Sequence, residues 1–82
     1  MNLKSEVTWM ASIPNFLNDQ AHDLAISLID AGEWEIAYEE MILQGSEVDA
    51  PLSPDDMRRI RSIAIEFGLD LERGGDWLAA LD

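Results

Sequence analysis

The sequence predicts an all-α domain: a compact bundle of three main short helices with short helical segments at the ends. Three observations carry this. Apolar residues recur at three- and four-residue spacing in successive windows. Glycine or proline separates every pair of helical windows. No segment alternates with period two for long. At 82 residues, 48% of them apolar, the chain has material for one small core, so residues 1–82 read as a single acidic domain without repeats or low-complexity tracts.

Residues 1–13 place Leu3, Val7, Trp9, Met10 and Ile13 on no clean period, which predicts a peripheral arm or short helix over 1–14, interrupted by Pro14. A first main helix is expected over 15–31. Leu17, Ala21, Leu24, Ala25 and Leu28 form its stripe, with Ile29 at the edge. Asp19, Asp23 and Asp30 share the opposite side around Ile26, and Gly32 is the stop. A second helix is expected over 33–44, with Trp34, Ala37, Tyr38 and Met41 as the main stripe, Ile42 widening it, and Gly45 as terminator. Trp34 and Tyr38 read as packing residues, although Tyr38 stands near enough to the edge to turn its hydroxyl outward. Ile36 and Leu43 emerge among Glu39 and Glu40. They are core if this helix touches neighbours on both sides and partner anchors if it does not, and the balance leans toward core.

The third helix is announced by its punctuation. Ser53 caps, Pro54 takes the first helical position, Asp56 completes a capping box, and Leu52 with Met57 forms a hydrophobic staple. Met57, Ile60, Ile63, Ala64 and Phe67 make the buried stripe, and Gly68 followed by Leu69 reads as a Schellman ending. Asp70 and Asp76 are candidate caps of short terminal turns around Gly74–Gly75, and Trp77, Leu78 and Leu81 are placed to close the open end of the core.

Charge is the outlying quantity. Seventeen acids against five bases give −12, and residues 1–50 alone hold ten acids and one lysine. Such a field repels nucleic acid and anionic lipid and speeds encounter with basic partners. There is no cysteine, no leader-like apolar run and no stretch approaching a membrane span, so a reducing, cytoplasmic setting is expected, with no membrane partner.

Catalytic and metal patterns are missing. His22 is the only histidine, next to Asp19 and Asp23 without zinc-ligand spacing, and "SEVDAPLSPDD" lacks the order of a calcium loop. Ser27 and Ser62 have no basic partner but His22, and no glycine-rich phosphate loop is present. Neither enzyme activity, a cofactor nor a metal is expected. "MRRIRS" is a basic cluster, but three arginines among seventeen acids make a poor phosphate grip. Arg58 and Arg61 fall on the outer half of the third helix and Arg59 beside Glu66, and Asp55 is spaced to pair with Arg58 or Arg59.

The carboxylates of the first two helices instead suggest a surface for a basic protein. Glu35, Glu39, Glu40 and Glu47, with Asp19 and Asp23 adjacent, are the candidate partner-binding residues from charge geometry.

The stretch "LIDAGEWEIAYEEMILQGSEVDAPLSPDDMRRIRSIAIEFGLD" resembles the small immunity proteins of bacterial polymorphic-toxin and contact-dependent inhibition systems, in particular the MafI family. The shared features are "LIDAGE" at Leu28–Glu33, Ile36–Ala37, the acidic run into D-x-P-L-S at Asp49–Ser53, "GLD" at Gly68–Asp70, and a following tryptophan, here Trp77. Trp34 and Glu35 stand where that family often has proline and glycine, and Gly74–Gly75 is an insertion. The resemblance spans about residues 17–78. It implies a protein that binds a cognate toxin domain, often a basic nuclease, and blocks it in the producing cell, and it adds Asp49 to the candidate face; the free form is expected to be a monomer. The alternatives are an acidic structural or regulatory subunit of another basic protein and, further off, an acyl-carrier-like module. That module's D-S-L motif is matched neither by Ser27 in "AISL" nor by Ser53, which lies between leucine and proline.

Overall fold

A computed structural model describes the backbone of residues 2–48 and 52–68, and the side chains of all of these but 46–48. The described residues are all-α. Four helices follow in order: α1 Leu3–Ala11, α2 Asp19–Asp30, α3 Trp34–Val48 and α4 Pro54–Phe67. Leu69, Asp70, Asp76, Trp77, Leu78 and Leu81, which the sequence casts as helix ending, caps and core closure, lie outside the described residues.

Of the two expectations for residues 1–14, the short helix is the one that forms, and α1 packs against α2, α3 and α4 alike. Asn2 caps it, its Oδ1 accepting the Ser5 N–H at 3.1 Å. Leu3, Val7 and Met10 then fall on one line of the helix, and Val7, Met10 and Ala11 are buried. The period looked broken because Trp9, which stands about 100° from Met10 around the helix, was counted with it. The chain leaves the helix at Ser12 and turns, with Asn15 at φ 62°, a left-handed conformation that asparagine tolerates. The turn delivers Phe16 into the core at 1% exposure.

α2 starts at Asp19 rather than 15, because Asn18 captures the Ala21 N–H at 2.8 Å and fixes the first turn there. Its buried line is Ala25 and Ile29, so the stripe is rotated from the expected one: Ile29 is central, Leu28 is half-buried, and Leu24 is exposed. Ile26, expected among surface aspartates, packs partly buried against the core. Gly32 stops the helix as expected. At φ 82° it lets its own N–H reach the Ile29 carbonyl at 3.0 Å and the Glu33 N–H reach the Leu28 carbonyl at 2.9 Å, the paired bonds of a Schellman ending.

α3 buries Ala37, Tyr38, Met41 and Ile42 as its stripe predicts. It does not stop at Gly45, which is buried inside the helix with its Cα against the Phe16 ring. A Cβ there would collide with the ring edge, standing 2.8 Å from Cζ and closer still to Cε1. Glycine at this position therefore lets α3 and the Phe16 turn approach, and the helix runs on to Val48.

α4 matches its punctuation. Ser53 Oγ accepts the Asp56 N–H at 3.1 Å, Pro54 opens the helix, and Gly68 at φ 73° ends it. Ile60, Ile63 and Ala64 are buried, flanked by the partly buried Met57 and Phe67. Arg58 pairs with Asp55 at 2.7 Å as spacing allows. Arg59 reaches across to α1 instead of Asp55 or Glu66. Its Nε and Nη2 donate to Glu6 Oε2 at 2.8 and 2.5 Å, and its guanidinium stacks 4.0 Å from the centre of the Trp9 ring.

Tyr38 ties α3 to α4 from inside. Its hydroxyl points inward and donates to the Ile60 carbonyl at 2.8 Å, and its ring is tilted 50° against Phe67 at 5.8 Å. Burial pushes the phenol well above its usual value of 10.0. The sign is that of an acid whose neutral form the fold prefers. Stability is fully present below about pH 10 and falls as pH rises further, by about 1.4 kcal/mol per pH unit while only the unfolded chain is ionised. Tyr38 is the one tyrosine in the chain, so the readout is clean. In an alkaline titration, tyrosinate absorbance should rise together with loss of helical circular dichroism. Ionisation with the helices intact would contradict the buried hydroxyl.

Candidate functional site

The sequence from Ser5 to Met57 contains no lysine or arginine, so the carboxylates of α2 and α3 have neither on their own helices. Two of the arginines that follow are engaged with acids elsewhere, Arg58 with Asp55 and Arg59 with Glu6. Glu35, Glu39 and Glu40 form no ion pair among the described residues. Glu35 has a local structural reason to be acidic, since it stands in the first turn of α3 beside the positive end of the helix. Glu39 and Glu40, in mid-helix, gain nothing comparable. Glu35 and Glu39 even form a like-charged pair four residues apart, which costs a few tenths of a kcal/mol.

Ile36 and Leu43 resolve toward the surface. They are 48% and 50% exposed, because α3 takes its packing from the side of Ala37, Tyr38, Met41 and Ile42 and leaves the opposite side to solvent. Ile36, Glu39, Glu40 and Leu43 occupy positions i, i+3, i+4 and i+7, so they form one face, the two glutamates on either side of the line joining the two apolar residues. Continuation of the helix past Gly45 also brings position 47 into register with Ile36 and Leu43. The side chain of Glu47, and all of Asp49, lie outside the described residues.

Asp19 and Asp23 are exposed on α2, within about 40° of each other around the helix axis. They form their own row, Asp23 standing about 100° from Leu24. His22 Nδ1 is 3.8 Å from Asp23 Oδ1, and among the described residues no three histidine, aspartate or glutamate side chains gather as a metal site.

Leu24 is the residue that pattern reading misplaced. It is 47% exposed and, with Asn18, Gln20 and Ala21, lines an open depression of about 380 Å³ whose far wall is Gln44. The beginning of α2 thus meets the far part of α3, and the two run antiparallel. The depression borders the residue that follows Leu43. No cap or stop residue carries the signal that places Leu24 outside: which side of α2 is covered is set by α1 and α3, the helices packed against it.

The described helices contain none long and apolar enough to cross a membrane. No protein family, no curated protein and no solved structure matches the chain.

Proposed function

We propose that this protein is a small immunity-type inhibitor that binds a basic toxin domain through the outer face of α3. The observation that carries the reading is the exposed pair Ile36 and Leu43 set among Glu35, Glu39 and Glu40, carboxylates with no ion pair among the described residues. Apolar anchors supply affinity, and a surrounding field of one sign supplies encounter rate and partner choice. The net charge of −12 suits a partner that is itself built to grip phosphate. The resemblance at Leu28–Glu33 and Asp49–Ser53 points the same way. On this reading the protein is monomeric when free, acts in the cytoplasm of the cell that makes the toxin, and needs no cofactor.

Coexpression with the toxin domain encoded beside it should restore growth, and the two proteins should copurify. The double substitution Glu39→Lys, Glu40→Lys should weaken that complex about tenfold or more at low salt and much less at high salt, as screening shortens the reach of the charges. The variant should fold normally, since Glu35 followed by a lysine four residues on is a favourable helix pair. Unchanged affinity at low salt would remove the α3 face from the interface. A partner that is basic but not toxic would favour the regulatory-subunit reading.

A further inference from the structure

Resting on the reading of α3 as the binding face, we propose that the element it receives is an amphipathic basic helix of the partner, laid along α3 with its apolar side on Ile36 and Leu43. Three features select a helix over an extended segment. Ile36 and Leu43 stand two turns apart on one line, about 10.5 Å along the axis, the interval at which a second helix presents its own apolar positions. Glu39 and Glu40 fall between them on either side, where a lysine or arginine three or four residues from an apolar anchor would meet a carboxylate. The described residues are helical and offer no sheet edge, so the main-chain pairing that holds an extended peptide has no counterpart on this face.

The depression beside Leu43 gives the docked helix a direction to lean. Leu24 and Ala21 give its lining apolar surface, and Gln20 and Gln44 bring amide donors and acceptors. A side chain leaving the docked helix toward α2 would rest there. Charge selects the occupant. A second copy of this chain would bring −12 against −12. The remaining large apolar residue exposed among the described ones, Ile65 of α4, has Arg61 and Ser62 at four and three positions before it, where a carboxylate pair would be needed.

The probe is a synthetic three-heptad peptide with leucines on one face and lysines flanking them. Three controls share its length: a scrambled version of the same composition, a version with one proline per heptad, and one with glutamate for lysine. Titrated into the isotope-labelled full chain, the helical basic peptide should shift the amides of residues 35–44 and of Leu24. It should bind at least tenfold more tightly than the scrambled and proline peptides, and the acidic peptide should not bind. Ile36→Ser with Leu43→Ser, both on the exposed side, should lower affinity about tenfold while circular dichroism stays unchanged. Equal binding of the proline or scrambled peptide would mean that charge alone acts and would overturn the proposal. So would shifts centred on Ile65, or concentration-dependent self-association through the α3 face. Neutralisation of the neighbouring toxin is a separate measurement. A chain that protects but ignores the helical probe keeps the proposed function and loses this inference, and a chain that takes the probe but does not protect does the reverse.

Discussion

Removal of residues 1–11 should leave a chain that no longer unfolds cooperatively. α1 touches each of the other three helices and contributes Val7, Met10 and Ala11 to the buried core. Met10 is fully enclosed, and Met10→Ala alone should cost about 2–5 kcal/mol through lost transfer energy and the cavity left behind. A domain of this length holds only about 4–12 kcal/mol in total. Losing the whole helix also bares the inner faces of α2, α3 and α4 and strands Arg59 without Glu6 and Trp9. Chemical denaturation followed by circular dichroism checks this. A truncated chain melting with the parent midpoint would return α1 to the role of a peripheral arm.

Gly45→Ala should destabilise the protein, although glycine to alanine within a helix ordinarily gains close to 1 kcal/mol. Here the new Cβ would enter the space of the Phe16 ring, which is 1% exposed and enclosed by the core. Overpacking of this kind costs about 1–3 kcal/mol, more than the backbone gain. A second substitution separates the two contributions. Phe16→Leu shortens the offending side chain, and Gly45→Ala placed in that background should become neutral or stabilising. The double-mutant cycle would then show a coupling of about 1 kcal/mol or more between a turn residue and a helix residue that are far apart in sequence. If alanine stabilises the parent chain instead, Phe16 does not pack on α3 as described.

The parts of the fold legible in the sequence are those set by local chemistry. Ser53, Pro54, Asp56 and Gly68 bound α4, and Gly32 ends α2, because caps and left-handed stops act within a few residues of themselves. What could not be read depends on distant partners. Gly45 looks like a terminator until Phe16 is known to lie against it. Arg59 has an acid within reach on its own helix but goes to Glu6, 53 residues earlier, where Trp9 stacks its other surface. Ile36 and Leu43 were ambiguous for the same reason, since only the placement of α1, α2 and α4 decides which side of α3 is covered. The acids of the candidate face were visible as composition. Their alignment with two exposed apolar residues needed the burial of the opposite side.

The central position of α1 has a consequence for biosynthesis. Its docking surface on α4 is translated last among the described helices, and Arg59 follows Glu6 by 53 residues. At about 5–20 residues per second, the ribosome takes roughly 3–10 s to supply it. Until then α1 can be covered by α2 and α3 at most, and Glu6 and Trp9 are without Arg59. Nascent chains stalled before α4 should therefore remain open to proteases and chaperones, and completion of the native globule should await release of α4.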